Sequence, residues 1–129
     1  MSQLDLTPAE LRNRYSAADL AAILRRYRLP VSNEAEMQGA VEKALQREAV
    51  PYRREVVQGG DRIDFVVARV GIELKVKGSV ATVTRQLFRY ARWEDLNELL
   101  VVTSVGQHLG LPRSLNGKPI VVHVPRGRF

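Results

Sequence analysis

Two carboxylates and a lysine near the middle of the chain could together do chemistry on a phosphate. Asp64 closes the run Gly60-Asp61-Arg62-Ile63-Asp64, and Glu73-Leu74-Lys75 begins nine residues beyond it. On a β-strand Glu73 and Lys75 point to the same face, because side chains repeat every two residues. A tight hairpin pairing of the two strands would set Asp64 beside Glu73 on that face. Carboxylates that close make a hard, oxygen-rich site suited to Mg²⁺ or Mn²⁺. A lysine beside such an ion can orient an attacking water and help stabilise charge developing on a phosphate. Alternating Glu73, Lys75 and Lys77 is equally the pattern of a strand facing solvent, so the triplet needs support from elsewhere.

Support comes from a helix expected around Val83 to Leu96. Gln86 and Tyr90 lie one turn apart on a single face of it, and Arg85, Arg89 and Arg92 form a basic stripe at i, i+4 and i+7. A basic stripe with an aromatic is a surface that can track a phosphate backbone. The same helix also reads as simply amphipathic, with Leu87, Tyr90 and Ala91 packing inward. The whole chain carries a net charge of +6, from 20 Lys and Arg against 14 Asp and Glu. Such an excess favours polyanionic partners, nucleic acid first and an anionic membrane surface second. Most of it is Arg, whose planar fork suits phosphate oxygens, which tilts the choice towards DNA.

Other chemistries are excluded. There is no cysteine, so thiol nucleophiles, disulfide scaffolds and zinc fingers drop out. His108 and His123 are too few and too far apart for a zinc site, and His123 reads as a structural strand histidine. Ser79, Ser104 and Ser114 have no associated base. Trp93 is expected to pack on the core. No stretch approaches the roughly 20 apolar residues that span a bilayer, and the first residues lack the pattern of a signal peptide. A soluble cytoplasmic protein without a membrane partner is the expectation.

At 129 residues and 45% hydrophobic content the chain has the size and composition of one packed domain. Thr7-Pro8-Ala9-Glu10 is a capping box that opens a first helix, and Ser16 to Asp19 opens a second in which Leu20, Ile23, Leu24 and Tyr27 form the apolar stripe. Pro30 is expected to end it. This N-terminal helical pair, residues 1–31, is read as an extension to a core over 32–129. A third helix runs from Ser32 or Asn33 to about Glu48, with Met37, Val41, Ala44 and Leu45 buried. Strands follow: Arg54 to Val57, then Ile63, Phe65 and Val67 alternating along one strand, then Ile72 to Lys77. After the Gln86–Tyr90 helix come strands at Leu99–Thr103 and Pro119–Val124, separated by a loop with the turn Asn116-Gly117. The order predicts an α/β or α+β fold with a mixed central sheet flanked by helices.

Taken together, Gly59-Gly60-Asp61-Arg62-Ile63-Asp64, Glu73-Leu74-Lys75 and Gln86…Tyr90 resemble the PD-(D/E)xK nuclease superfamily, its RecB-type and lambda-exonuclease-like branches most closely. The resemblance covers roughly residues 33–103. It implies a restriction-endonuclease-like core that hydrolyses DNA to 5′-phosphate and 3′-hydroxyl ends with Mg²⁺ or Mn²⁺. By that resemblance Asp64, Glu73 and the backbone carbonyl of Leu74 are metal ligands and Lys75 is the catalytic lysine. Gln86 and Tyr90 would orient the lysine and the substrate. The basic residues Arg62, Lys77, Arg85, Arg89 and Arg92 would contact the nucleic acid. The superfamily often adds a glutamate from the helix before the sheet. Glu34 is preferred because it shares a face with Gln38, Val41 and Leu45, whereas Glu36 fits a capping box at Asn33 and Glu42 lies on the flank. No Gly-x-x-x-x-Gly-Lys-Ser/Thr loop is present, so the chain cannot translocate on ATP. A homo-oligomer (dimer or ring) or a helicase or recombination partner would supply processivity or paired cuts, and so compact an enzyme would suit a phage or mobile element. The alternative is a nuclease-like module that binds DNA or protein without cutting.

Overall fold

A computed structural model describes residues 15–125. The expected helix at Thr7 and the tail Arg126 to Phe129 lie outside them. Three helices and a mixed six-stranded open sheet make an α+β fold, in agreement with the expected class. The first described helix, α1 (Ala17–Leu24), starts where the capping box predicts: the Ser16 hydroxyl accepts from the Asp19 N–H and the Asp19 carboxylate accepts from the Ser16 N–H. It closes at Leu24, well before Pro30, and Tyr27 beyond it donates its hydroxyl to the Glu48 carboxylate. Helix α2 (Glu34–Arg47) is capped by Asn33, whose side chain accepts from the Glu36 N–H at 2.8 Å.

Strands β1 (Arg53–Gln58), β2 (Asp61–Val67) and β3 (Val70–Lys75) form an antiparallel meander. Helix α3 (Val80–Tyr90), capped by Ser79, then crosses to β4 (Glu98–Thr103), which runs parallel to β3. This helix begins and ends earlier than expected, so Trp93 and Leu96 pack from the turn after it. A 3₁₀ turn (Gly106–Gly110) and a two-residue strand β5 (Ser114–Leu115) precede β6 (Lys118–His123). The sheet order is β1-β2-β3-β4-β6-β5. Among the described residues no helix is long and apolar enough to cross a membrane.

Each face of the sheet carries its own buried cluster. On one, α1 and α2 place Leu20, Leu24, Met37, Val41 and Leu45 against Phe65, Val67, Ile72, Leu74, Leu100 and Val102. On the other, α3 places Val83, Leu87 and Tyr90 against Ile63, Leu99, Val101 and Ile120, with Trp93 and Leu96. At roughly 25 cal/mol for each Å² of apolar surface removed from water, this two-sided burial is what orders a chain of this size.

One expectation about the sheet fails, and the failure matters for the site. Ile63, Phe65 and Val67 do not share a face: Ile63 packs with α3, while Phe65 and Val67 pack with α1 and α2. The period of two breaks at Asp64 because the opposing residue, Glu55, has left-handed backbone (φ 52°) in the middle of β1. The β1–β2 register runs Arg54↔Phe65, then Val56↔Ile63, so both strands rotate together there without gaining or losing a residue. The strain at Glu55 lies directly across from Asp64.

Candidate active site at a fork in the sheet

Strands β2 and β3 separate where the acids sit. Their pairing covers Val67↔Val70 to Phe65↔Ile72 and stops there. Beyond that point β2 continues against β1 only, from Ile63 to Asp61, while β3 continues against β4 only, from Glu73 to Lys75. The fork leaves main-chain groups without ladder partners, and side chains take over. Asp64 Oδ2 accepts the Leu74 N–H at 2.8 Å, and Glu73 Oε1 accepts the Asp64 N–H at 3.3 Å. Each acid is thereby held by the other strand. On the α3 side the Tyr90 hydroxyl donates to the Arg62 carbonyl at 2.7 Å and accepts from the Gln86 amide at 2.8 Å.

Lys75 closes the group. Its ammonium lies 3.1 Å from Glu73 Oε2, with the Lys75 side chain 17% exposed and that of Glu73 only 6%. Glu73 and Lys75 are thus paired, with Asp64 across the fork from Glu73, although the tight strand pairing expected to bring the two acids together stops one residue short of them. Burial, and then the neighbouring Asp64 charge, push the Glu73 carboxyl up to about 8, against the opposing pull of Lys75. Burial, followed by the Glu73 charge, likewise raises the Tyr90 hydroxyl, so that it serves as a neutral donor.

The donor set fits a hard divalent cation in kind: two carboxylates near enough for the Asp64 charge to act on Glu73, and no sulfur. Each carboxylate oxygen spends one lone pair on a protein donor and keeps the other. Among the described residues no three His, Cys, Asp or Glu side chains cluster tightly enough to hold a metal, so Glu34 is not gathered with Asp64 and Glu73. It lies half-buried one turn ahead of Gln38. Glu36 accepts from the Ser32 hydroxyl at the helix start, and Glu42 is engaged by Tyr52 and Arg54.

Gln86 and Tyr90 face the fork, but their hydrogen bonds run to each other and to Arg62, not to Lys75. Of the basic residues, Arg62, Lys77, Arg85, Arg89 and Arg92 are all exposed. Arg89 is paired with Asp61 at 3.0 Å, and Arg62 lies 3.7 Å from Glu55. Arg89 and Arg92 line a recess of about 330 Å³ with Gln58, Gly59, Asp61 and Trp93. Trp93 itself is buried edge-on against Tyr90, as expected of a core residue.

Several residues escaped the sequence reading. Gln38 donates to Asp64 Oδ1 at 3.1 Å and accepts from Arg54 at 3.0 Å. Its position one turn after Glu34 put it on the right face, and that was the available signal. His108, fully buried, binds the Gly78 carbonyl through Nε2 and Thr103 through Nδ1, both at 2.7 Å. A carbonyl only accepts, so Nε2 carries the proton. This histidine holds the β3–α3 connection onto the end of β4, and nothing in its sequence surroundings announces that. His123 is a buried strand residue, as expected. No protein-family model matches the chain, and neither does any curated protein or solved structure.

Proposed function

We propose that the chain is a divalent-metal-dependent deoxyribonuclease built on a restriction-endonuclease-like core. The observation that carries this reading is the meeting of Asp64, Glu73 and Lys75 at the fork between β2 and β3. Burial and the neighbouring Asp64 charge together raise the proton affinity of Glu73, a costly arrangement that a divalent cation would relieve. Mg²⁺ or Mn²⁺, when bound, would polarise the scissile phosphate and acidify a water. Asp64 and Glu73, with the Leu74 carbonyl, would hold the ion. Lys75, held beside Glu73 with part of its side chain exposed, would position the attacking water and stabilise charge on the phosphate. The exposed arginines of α3 would hold the backbone of the DNA. Products would carry 5′-phosphate and 3′-hydroxyl ends.

The test is incubation with labelled linear, nicked, single-stranded and four-way DNA in Mg²⁺, Mn²⁺ or EDTA. Cleavage that requires the metal and vanishes in Lys75→Ala supports the reading. DNA retention without cleavage of any substrate in either metal overturns it in favour of a non-cutting binding module.

A further inference from the structure

We infer that Gln38, Arg54 and Glu42 form a positioning relay that sets the orientation of the Asp64 carboxylate from the α2 side of the sheet. The inference rests on the proposed metal-dependent chemistry at Asp64 and deepens it. The chain of contacts is continuous: Glu42 Oε1 accepts from Arg54 at 3.1 Å, Arg54 donates to Gln38 Oε1 at 3.0 Å, and the Gln38 amide donates to Asp64 Oδ1 at 3.1 Å.

Donor and acceptor roles admit only one direction. An arginine can only donate and an ionised carboxylate can only accept, so the amide between them must show its oxygen to Arg54 and its NH₂ to Asp64. Without Arg54 the Gln38 amide would be held only by its bond to Asp64, and its terminal torsion would lose its second anchor. Arg54 is itself fixed from two further sides. Its guanidinium lies 5.2 Å over the Phe65 ring, and Glu42 is locked by the Tyr52 hydroxyl at 2.6 Å. Phe65 directly follows Asp64, at the point where the strand rotates.

The consequence concerns Asp64 alone. Its Oδ2 is occupied by Leu74 N–H and its Oδ1 by Gln38, so the carboxylate plane cannot swing. A ligand carboxylate with a fixed plane presents its remaining lone pairs in a fixed direction. The relay works on Asp64 from the face opposite Lys75 and α3, so it can hold the acid without entering the space that substrate would use.

The experiment is a double-mutant cycle on the full chain with Gln38→Leu, Arg54→Lys and both together. It reads Mn²⁺ affinity by calorimetry and kcat separately from KM on a substrate that the wild type cuts. Gln38→Leu should weaken Mn²⁺ binding or kcat by roughly 10–100-fold, the usual cost of losing an outer partner of a metal ligand. KM for DNA should stay unchanged. Arg54→Lys, which keeps the charge but cannot reach both partners, should cost part of that, and the double variant should be no worse than Gln38→Leu. Gln38→Asn with an intact Arg54 should also lose affinity, because its shorter arm cannot span the gap. Losses that add in the double variant, or a Gln38→Leu protein with wild-type metal affinity and kcat, overturn the relay while leaving the nuclease reading standing. A wild-type chain that neither binds Mn²⁺ nor cuts overturns both.

Discussion

The Asp64 main-chain N–H donates to Glu73 Oε1 at 3.3 Å, so the second acid is held by the backbone of the first rather than by its carboxylate. The Asp64 carboxylate turns instead to the Leu74 N–H. These two bonds replace the ladder pairs that the fork removes, which makes the acids structural as well as chemical. Asp64→Ala should therefore cost about 1–3 kcal/mol, the penalty for leaving the Leu74 N–H buried without an acceptor. Urea unfolding measures it. A variant as stable as the wild type would show that water replaces the carboxylate at the fork.

Glu73 makes stability depend on pH in a direction unusual for a carboxylate. Its proton affinity is raised in the folded chain, first by burial and then by Asp64. The unfolded chain releases that proton at the ordinary carboxylate pKa, whereas the folded chain keeps it until about pH 8. Between those limits the native state binds more protons, so stability contributed by the group falls as pH rises and is flat above the window. Urea midpoints in EDTA should decline across this range for the wild type and decline less for Glu73→Gln. Parallel curves would remove Glu73 as the cause. Metal binding below about pH 8 should also release a proton, which calorimetry in buffers of different ionisation enthalpy detects.

Tyr90 connects α3 to the fork through one atom. Its hydroxyl takes the Gln86 amide and gives its proton to the Arg62 carbonyl, a main-chain group on the open side of β2. Tyr90→Phe keeps the ring against Trp93 but leaves the part-buried Arg62 carbonyl without this donor. It should lower stability by about 1–3 kcal/mol. A role confined to orienting substrate would instead leave the melting temperature untouched and move kcat alone.

Much of this arrangement was legible in advance because it depends on local chemistry. The caps at Ser16 and Asn33, the buried faces of α1 and α2, and the shared face of Glu73 and Lys75 all follow from short-range spacing. What did not follow is long-range. The face switch between Ile63 and Phe65 needs the left-handed backbone of Glu55 on another strand, and a glutamate gives no signal of that conformation. Gln38 and Arg54 look like ordinary polar residues until the helix is laid on the sheet, and His108 gains its role only where β3, α3 and β4 converge. Competing glutamates on α2 illustrate the same limit: periodicity chose the face correctly, but the residue that touches Asp64 is the glutamine one turn further on.

Gly71, next to the Ile72 that begins the acid-bearing half of β3, lies under close packing from three apolar side chains. A Cβ there would sit 2.8 Å from Ile63 Cδ1, 3.0 Å from Leu99 and 3.1 Å from Leu96. Ile63 occupies that space because the strand has rotated it towards α3. Gly71→Ala should then cost about 1–3 kcal/mol through overpacking, even though alanine is the better residue for an extended strand. Pairing the change with Ile63→Val should recover part of the loss, whereas an unchanged deficit would mean that the backbone, not Ile63, resists the methyl.

The exposed side of α3 and the turn after it, where Arg92 falls because the helix ends at Tyr90, should bind phosphate unequally. Among the described residues the Arg92 side chain has no polar partner, and the Arg85 side chain touches only the Thr82 hydroxyl at 3.4 Å. Arg89 is already paired with Asp61 at 3.0 Å, so a phosphate would have to compete with that carboxylate. Phe88 lies between them, 48% exposed, where a base could stack. Measured in EDTA, so that cleavage cannot interfere, Arg85→Ala and Arg92→Ala should each lower the slope of log affinity against log salt by about 1. Arg89→Ala should lower it by less, because Asp61 already neutralises Arg89 and fewer counterions are released when phosphate reaches it. Phe88→Ala should weaken binding without changing the slope, since stacking releases no counterions. Equal slopes for the wild type and all three arginine variants would place the DNA on another surface of the molecule.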